Sequence, residues 1–237
     1  MSPAHATSER AEAVPEAGRI PAAAFDQGRP ADEAYAAFGI RLVFAIACDP
    51  LPTGDLAPGE RARYDALGHA PRRGEWLRGR AALKSVLRVL GNSEDTSLIA
   101  FPHACVSLTH SAGLAVAVGC GGSLGGLGGL GIDYEARRPM RAGSERFFLT
   151  DSERLRLGQP GEDDLLRLWT VKEALFKADP GNREAGRNLW SYEIPASLHA
   201  LIGAAKGPSG SSFRYFTSAS PEGFLSVALH THSGAQP

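Results

Sequence analysis

LLRLWTVKEALFK, residues Leu165–Lys177, sets its apolar side chains three and four positions apart, the spacing of a helix packed along its length. At about 100° per residue, Glu173 and Lys177 leave such a helix on nearly the same side. Leu166 and Trp169 share or flank that sector, and Arg167 and Ala174 lie opposite. A carboxylate and an ammonium one turn apart therefore stand beside an apolar wall. Read as an ordinary i,i+4 pair, they contribute only about 0.2–0.5 kcal/mol. A second acidic stretch upstream supports a different reading.

That stretch is Gly131-Ile132-Asp133-Tyr134-Glu135, a short strand after a glycine-rich run. Side chains alternate along a strand, so Asp133 and Glu135 share one face and Tyr134 takes the other. Two carboxylates side by side repel unless positive charge lies between them. With Glu173 they make three hard oxygen ligands, Asp133, Glu135 and Glu173, of the kind that hold Mg²⁺ while water and substrate phosphates complete its shell. Lys177 would then lie beside a bound phosphate, an arrangement suited to phosphoryl chemistry.

GIDYE (131–135) and WTVKEALFK (169–177), joined by RRGEWLRGRAALKSVLRVLG (72–91) and VSLTHSAG (106–113), together resemble the signature of the 4′-phosphopantetheinyl transferases. The resemblance runs from about residue 38 to 231. Length and motif spacing resemble the larger, monomeric type that serves polyketide, nonribosomal peptide and siderophore assembly. It implies transfer of phosphopantetheine from coenzyme A to a serine of an acyl or peptidyl carrier protein. Mg²⁺ is the implied metal, with Mn²⁺ able to substitute. The implied fold is α+β, two similar halves related by a pseudo-twofold with the ligand cleft between them. The implied catalytic residues are Glu173 and Lys177. Coenzyme A is expected to meet Arg72, Arg80, Lys84, Thr109, His110, Ser111, Asp133, Lys172 and Lys177, with Thr109-His110-Ser111 at its 3′-phosphate. One departure stands out. Ile99–His103 occupies the place where the larger enzymes carry a Gly-Lys/Arg-Pro phosphate contact.

The residues themselves support parts of this. Arg73, Arg80 and Lys84 form a basic stripe on a helix from about Arg73 to Leu90, separate from the apolar stripe of Trp76, Leu83, Leu87 and Leu90. Such a stripe is either a solvated face or a grip for phosphates, which guanidinium groups bind bidentately. Val106–Thr109 and Leu114–Val118 read as strands around a turn at His110–Gly113, and Ile40–Cys48 as a buried strand. Arg137, Arg138 and Arg141 follow the acidic strand and are candidates for steering an acidic carrier protein.

A length of 237 residues and a net charge of −1 suit one core or two small halves, and make no electrostatic case for nucleic acid or membranes. Cys48, Cys105 and Cys120 lack metal-ligand spacing, which argues against a disulfide framework or a zinc site and for free thiols in a cytoplasmic protein. The organisation expected is a disordered tail over 1–36, an N-terminal half over 37–120, a glycine-rich link over 121–130 and a C-terminal half over 131–232. Thr150 and Glu153 read as a capping box. Trp190–Ile194, Phe213–Thr217 and Phe224–Leu229 read as strands, and His230 and His232 as a frayed end. Gly126–Gly131 spells GxGxxG, but a dinucleotide site needs that motif to open a helix, and here a strand follows. Two alternatives to the transferase remain. One is a non-catalytic module binding coenzyme A or carrier protein, and the other a dinucleotide-binding oxidoreductase resting on the glycine run.

Overall fold

A computed structural model describes residues 28–121, 127–183 and 188–231. Among them the fold is mixed α+β, with five α-helices and two antiparallel sheets. The first sheet holds β1 (Leu42–Ala47), β2 (Val106–Ser111) and β3 (Leu114–Cys120) in the order β1-β3-β2. The second holds β4 (Leu127–Ala136), β5 (Ile202–Lys206), β6 (Ser212–Ala219) and β7 (Gly223–Thr231) in the order β4-β7-β6-β5. Helices α2 (Pro58–Asp65) and α3 (Ala70–Val89) lie between β1 and β2 in the chain, and α4 (Asp151–Leu157) and α5 (Glu162–Ala178) between β4 and β5. In both sheets a strand leads through helices to a hairpin whose last strand returns to pair with the first.

The two sheets share one core. Leu114, Val116 and Val118 of β3 meet Ile132 and Tyr134 of β4 and Leu225, Val227 and Leu229 of β7. The alternate face of β3, Ala115 and Ala117, packs on Leu83, Val86 and Leu87 of α3. On the second sheet Ala228 and Phe213 pack with Leu168, Val171 and Leu175 of α5. Covering on both faces explains why β3 and most of β7 read as continuous apolar runs rather than as alternation.

A helix α1 (Gly28–Phe38) precedes β1 and buries Ala34, Ala37 and Phe38 in the shared core. The disordered tail expected over 1–36 is corrected accordingly from Gly28 onward, and residues 1–27 lie outside the described residues. Two alanines and one ring anchor this helix in the core, too few to stand out as periodicity. The link expected over 121–130 is also shortened, because β4 begins at Leu127. A Cβ at Gly129 would strike the Ala178 carbonyl, and one at Gly131 the Ala174 carbonyl. These glycines let α5 lie directly on the strand backbone. The expected strand over Trp190–Ile194 is instead a 3₁₀ turn, Leu189–Ser191, with one bridge from Glu193 to Lys206. The strand missed is β5. His230 is buried in β7 against Phe213, with ring centroids 5.0 Å apart, and is no frayed end. His232 lies outside the described residues.

Candidate active site

The two sheets meet edge to edge at β2 and β4 without a backbone ladder. Side-chain hydroxyls make the join. Ile132 N donates to Ser107 Oγ at 3.1 Å, Tyr134 N to Thr109 Oγ1 at 3.4 Å and Ala136 N to Ser111 Oγ at 3.4 Å. Ser107, Thr109 and Ser111 share one face of β2 because they are two apart. The same hydroxyls reach the acidic face of β4. Thr109 Oγ1 donates to Asp133 Oδ1 at 3.0 Å, and Ser111 Oγ to Glu135 Oε2 at 3.4 Å.

Above this seam lies α5. Lys177 Nζ donates to Asp133 Oδ1 at 2.8 Å, across to the strand rather than along its own helix. Trp169 Nε1 donates to Glu135 Oε1 at 3.2 Å and is held edge-on by Phe148. Glu173 is half-buried between them. Its pKa is raised, first by burial, with Lys177 opposing and Asp133 and Glu135 adding to the rise. Asp133 is thus joined to Lys177, and Glu173 lies near enough to feel the charges of Asp133 and Glu135.

The donor set suits a hard divalent cation. Asp133 Oδ2 is buried with no hydrogen-bond partner among the described residues, and an acceptor left so costs free energy unless something positive reaches it. As they stand, however, no three His, Cys, Asp or Glu side chains among the described residues are grouped to hold a metal. The positive charge on Asp133 is the Lys177 ammonium.

The alternate face of β2 turns toward α3. A Cβ on Gly79 would come within 2.7 Å of His110 Nε2 and 3.0 Å of a Leu108 methyl, so the glycine lets His110 lie against the helix. The imidazole reaches the surface, yet its pKa is pushed down to about 4. Desolvation by its neighbours is the main cause, followed by the charges of Lys177 and Arg80, and Arg78 adds to them. A hydrogen bond to the Glu75 backbone opposes the fall. Arg80 is buried, bonds Thr96 Oγ1 at 3.1 Å and lies over the Trp76 ring. Burial brings its pKa down to about 10. Arg78 Nε and Arg80 Nε are both buried without a hydrogen-bond partner among the described residues. Two guanidinium groups thus stand close enough to His110 to lower its pKa, each with an unpartnered Nε. Arg78 and Gly79 escaped the sequence reading, which sought basic residues on one stripe and had no signal for a close approach between helix and strand.

Other expected contacts go elsewhere. Lys84 closes on Glu60 Oε2 at 3.0 Å and the Glu94 carbonyl at 2.9 Å. Glu60 is fully buried and also accepts from Thr96 N and Thr96 Oγ1, so Lys84 is drawn inward as its counter-charge. Lys172, expected at the cofactor, is corrected in the same way. It has no exposed surface, and its ammonium binds both oxygens of Glu153 at 2.7 Å and the Tyr192 carbonyl. Lys172 lies five positions before Lys177, which turns it to the far side of α5. Arg72 stands exposed at the first turn of α3. Arg73 donates to the Leu67 carbonyl and lies over Tyr64. Thr109 and Ser111 spend their hydroxyls on β4, as described.

A cavity of about 290 Å³ opens beside Lys177. Phe101, Pro102, Ser107 and Leu108 line it from β2 and the segment before it, and Phe176, Lys177 and Asn182 from the end of α5 and the turn after it. Ile99–His103, the departure noted in the sequence, thus contributes an aromatic wall where a phosphate contact was expected. Residues 129–196 match the family model of the 4′-phosphopantetheinyl transferase superfamily. The matched segment contains Asp133, Glu135, Glu173 and Lys177, and points to a transferase of phosphopantetheine in general terms. It leaves α3 and β2, with Arg80 and His110, outside. No curated protein matches the chain. Gly128–Gly131 lie within β4 and open no helix, which removes the structural context of the dinucleotide reading.

Proposed function

We propose that this protein transfers 4′-phosphopantetheine from coenzyme A to a serine of an acyl or peptidyl carrier protein. The proposal includes a cytoplasmic monomer of the larger type, with two halves related by a pseudo-twofold. Among the described residues no helix is long and apolar enough to cross a membrane. The observation that carries the reading is the Lys177–Asp133 ion pair at the seam between the sheets, with Glu135 and Glu173 near enough to act on each other's charge, next to a cavity lined from both sides of that seam.

Coenzyme A lies across the seam. Its 3′-phosphate takes the idle donors of Arg78 and Arg80 beside His110, and its diphosphate lies at Lys177. Asp133, Glu135 and Glu173 would hold Mg²⁺, which would supply charge neutralisation on the diphosphate. The carrier serine Oγ forms a bond to the β-phosphorus. The bond from that phosphorus to the bridging oxygen breaks, and adenosine 3′,5′-bisphosphate leaves with the electron pair. The serine proton passes to Glu173 or to a water at the metal site. Lys177 offsets charge on the departing diphosphate oxygens. Arg141, exposed just past β4, attracts the acidic carrier, whereas Arg137 is engaged with Asp163 and the Ser220 carbonyl and Arg138 reaches Glu135 at 3.4 Å.

The test is incubation with coenzyme A, Mg²⁺ and a panel of apo carrier proteins, read by intact mass. A carrier gaining one phosphopantetheine supports the reading. Binding of coenzyme A or carrier without any mass gain favours the non-catalytic module instead.

A further inference from the structure

We propose that Lys177 is a built-in cation that closes the carboxylate site to divalent metal until an anionic diphosphate draws it away. Metal and diphosphate would then enter as a pair. The inference rests on the transferase reading and adds to it an order of assembly.

Three observations carry it. The Lys177 ammonium sits 2.8 Å from Asp133 Oδ1, an oxygen already accepting from Thr109. The other oxygen of the same carboxylate is buried and unpartnered. Glu173 lies near enough to feel the charges of Asp133 and Glu135, yet among the described residues no three carboxylates are grouped to hold a metal. A dication reaching the second oxygen would lie close to the ammonium on the first, and their repulsion weakens both contacts. Glu135 has Arg138 beside it at 3.4 Å, so it is at Asp133 that the dication and Lys177 compete.

Lys177 is built to move. It lies in the last turn of α5, and its side chain keeps 28% of its exposure against 6% for Asp133. It also lines the cavity at the seam, so its flexible stem has space to swing into. A diphosphate there offers the ammonium a partner with more charge than one carboxylate. Linkage is reciprocal: whatever diphosphate does for metal affinity, metal does for diphosphate affinity. Glu135 meanwhile keeps its hydrogen bonds from Trp169 and Ser111, so Lys177 is the part that changes place.

The experiment is equilibrium dialysis of the full chain against Mn²⁺, with melting curves to confirm folding. Lys177→Met and Lys177→Gln should each bind Mn²⁺ about tenfold or more tightly than wild type, as expected on losing a charge-assisted competitor. Adding Asp133→Asn to Lys177→Met should abolish the gain. Radiolabelled pyrophosphate should be retained by wild type only when Mn²⁺ is present. Equal Mn²⁺ affinity in wild type and both Lys177 variants would overturn the proposal and leave the metal site standing. If no form retains Mn²⁺, with or without pyrophosphate, the proposal falls together with the metal part of the transferase reading.

Discussion

Thr109 of β2 and Asp133 of β4 are joined by a hydrogen bond of 3.0 Å, and the two sheets meet at that bond. Thr109 also accepts from Tyr134 N, so one buried hydroxyl both fastens the seam and aims the carboxylate. Thr109→Val should cost about 1–3 kcal/mol of stability by orphaning these groups, and should also lower kcat. Ser107→Ala removes only the bond from Ile132 N. It should cost stability while leaving kcat close to wild type. Melts and single-turnover transfer separate the two, and equal kcat in both variants would refute the aiming role.

Glu173 and Lys177 should differ from a surface ion pair in what their loss costs. An exposed pair contributes about 0.2–1 kcal/mol and no catalysis. As reacting groups, Glu173→Gln and Lys177→Met should each lower kcat about a hundredfold, the scale seen on removing one charge-stabilising group. Glu173→Gln should melt near wild type, whereas Lys177→Met leaves Asp133 without its ammonium and should melt lower while still folding. Near-normal turnover in both would leave the transferase reading without its central helix.

His110 makes coenzyme A binding sensitive to pH. With its pKa pushed down to about 4, the free imidazole is neutral at pH 7. A phosphate dianion placed beside it favours the protonated form and raises that pKa. The added affinity is complete below the free value and is lost as pH rises through the bound value. Titration calorimetry should therefore show coenzyme A binding weakening with rising pH. Dephospho-coenzyme A should show less of this slope, and His110→Ala should remove it. The same slope in both ligands would move His110 away from the 3′-phosphate.

Lys172 should matter to stability rather than to chemistry. Removing it leaves Glu153 fully buried without its counter-charge, which costs about 3–5 kcal/mol in comparable cases. The pair Glu153→Gln/Lys172→Met should recover part of that loss in denaturant melts. If Lys172→Met melts like wild type and instead weakens coenzyme A, Lys172 belongs at the ligand after all.

Truncation before Gly39 should destabilise the protein. Helix α1 buries Phe38, Ala34 and Ala37, and Arg214 reaches back to the Ala37 carbonyl. Burying one phenyl ring is worth about 1.5–3 kcal/mol, so the melting temperature should fall by several degrees. An unchanged melt would mean that the helix is dispensable.

The acidic pair on a strand and the Glu–Lys pair on a helix were legible from residues 131–135 and 165–177, because periods of 2 and 3.6 fix which side chains share a face. The capping box was legible too: Thr150 Oγ1 accepts from Glu153 N, and Glu153 Oε2 from Thr150 N. Periodicity says nothing of what a face meets. Lys172 and Lys177 look alike in the sequence. Packing sends one into a buried Glu153 and the other to Asp133, because they leave α5 on different sides. Lys84 read as one of a basic stripe until Glu60, from another helix, claimed it. Gly129 read as part of a link because its purpose, an α5 backbone lying on β4, exists only after folding. The local alternation of charge and apolarity determined the elements and the candidate carboxylates. Only the tertiary structure decided which cation each carboxylate holds, because a buried charge must find its partner across space rather than along the chain.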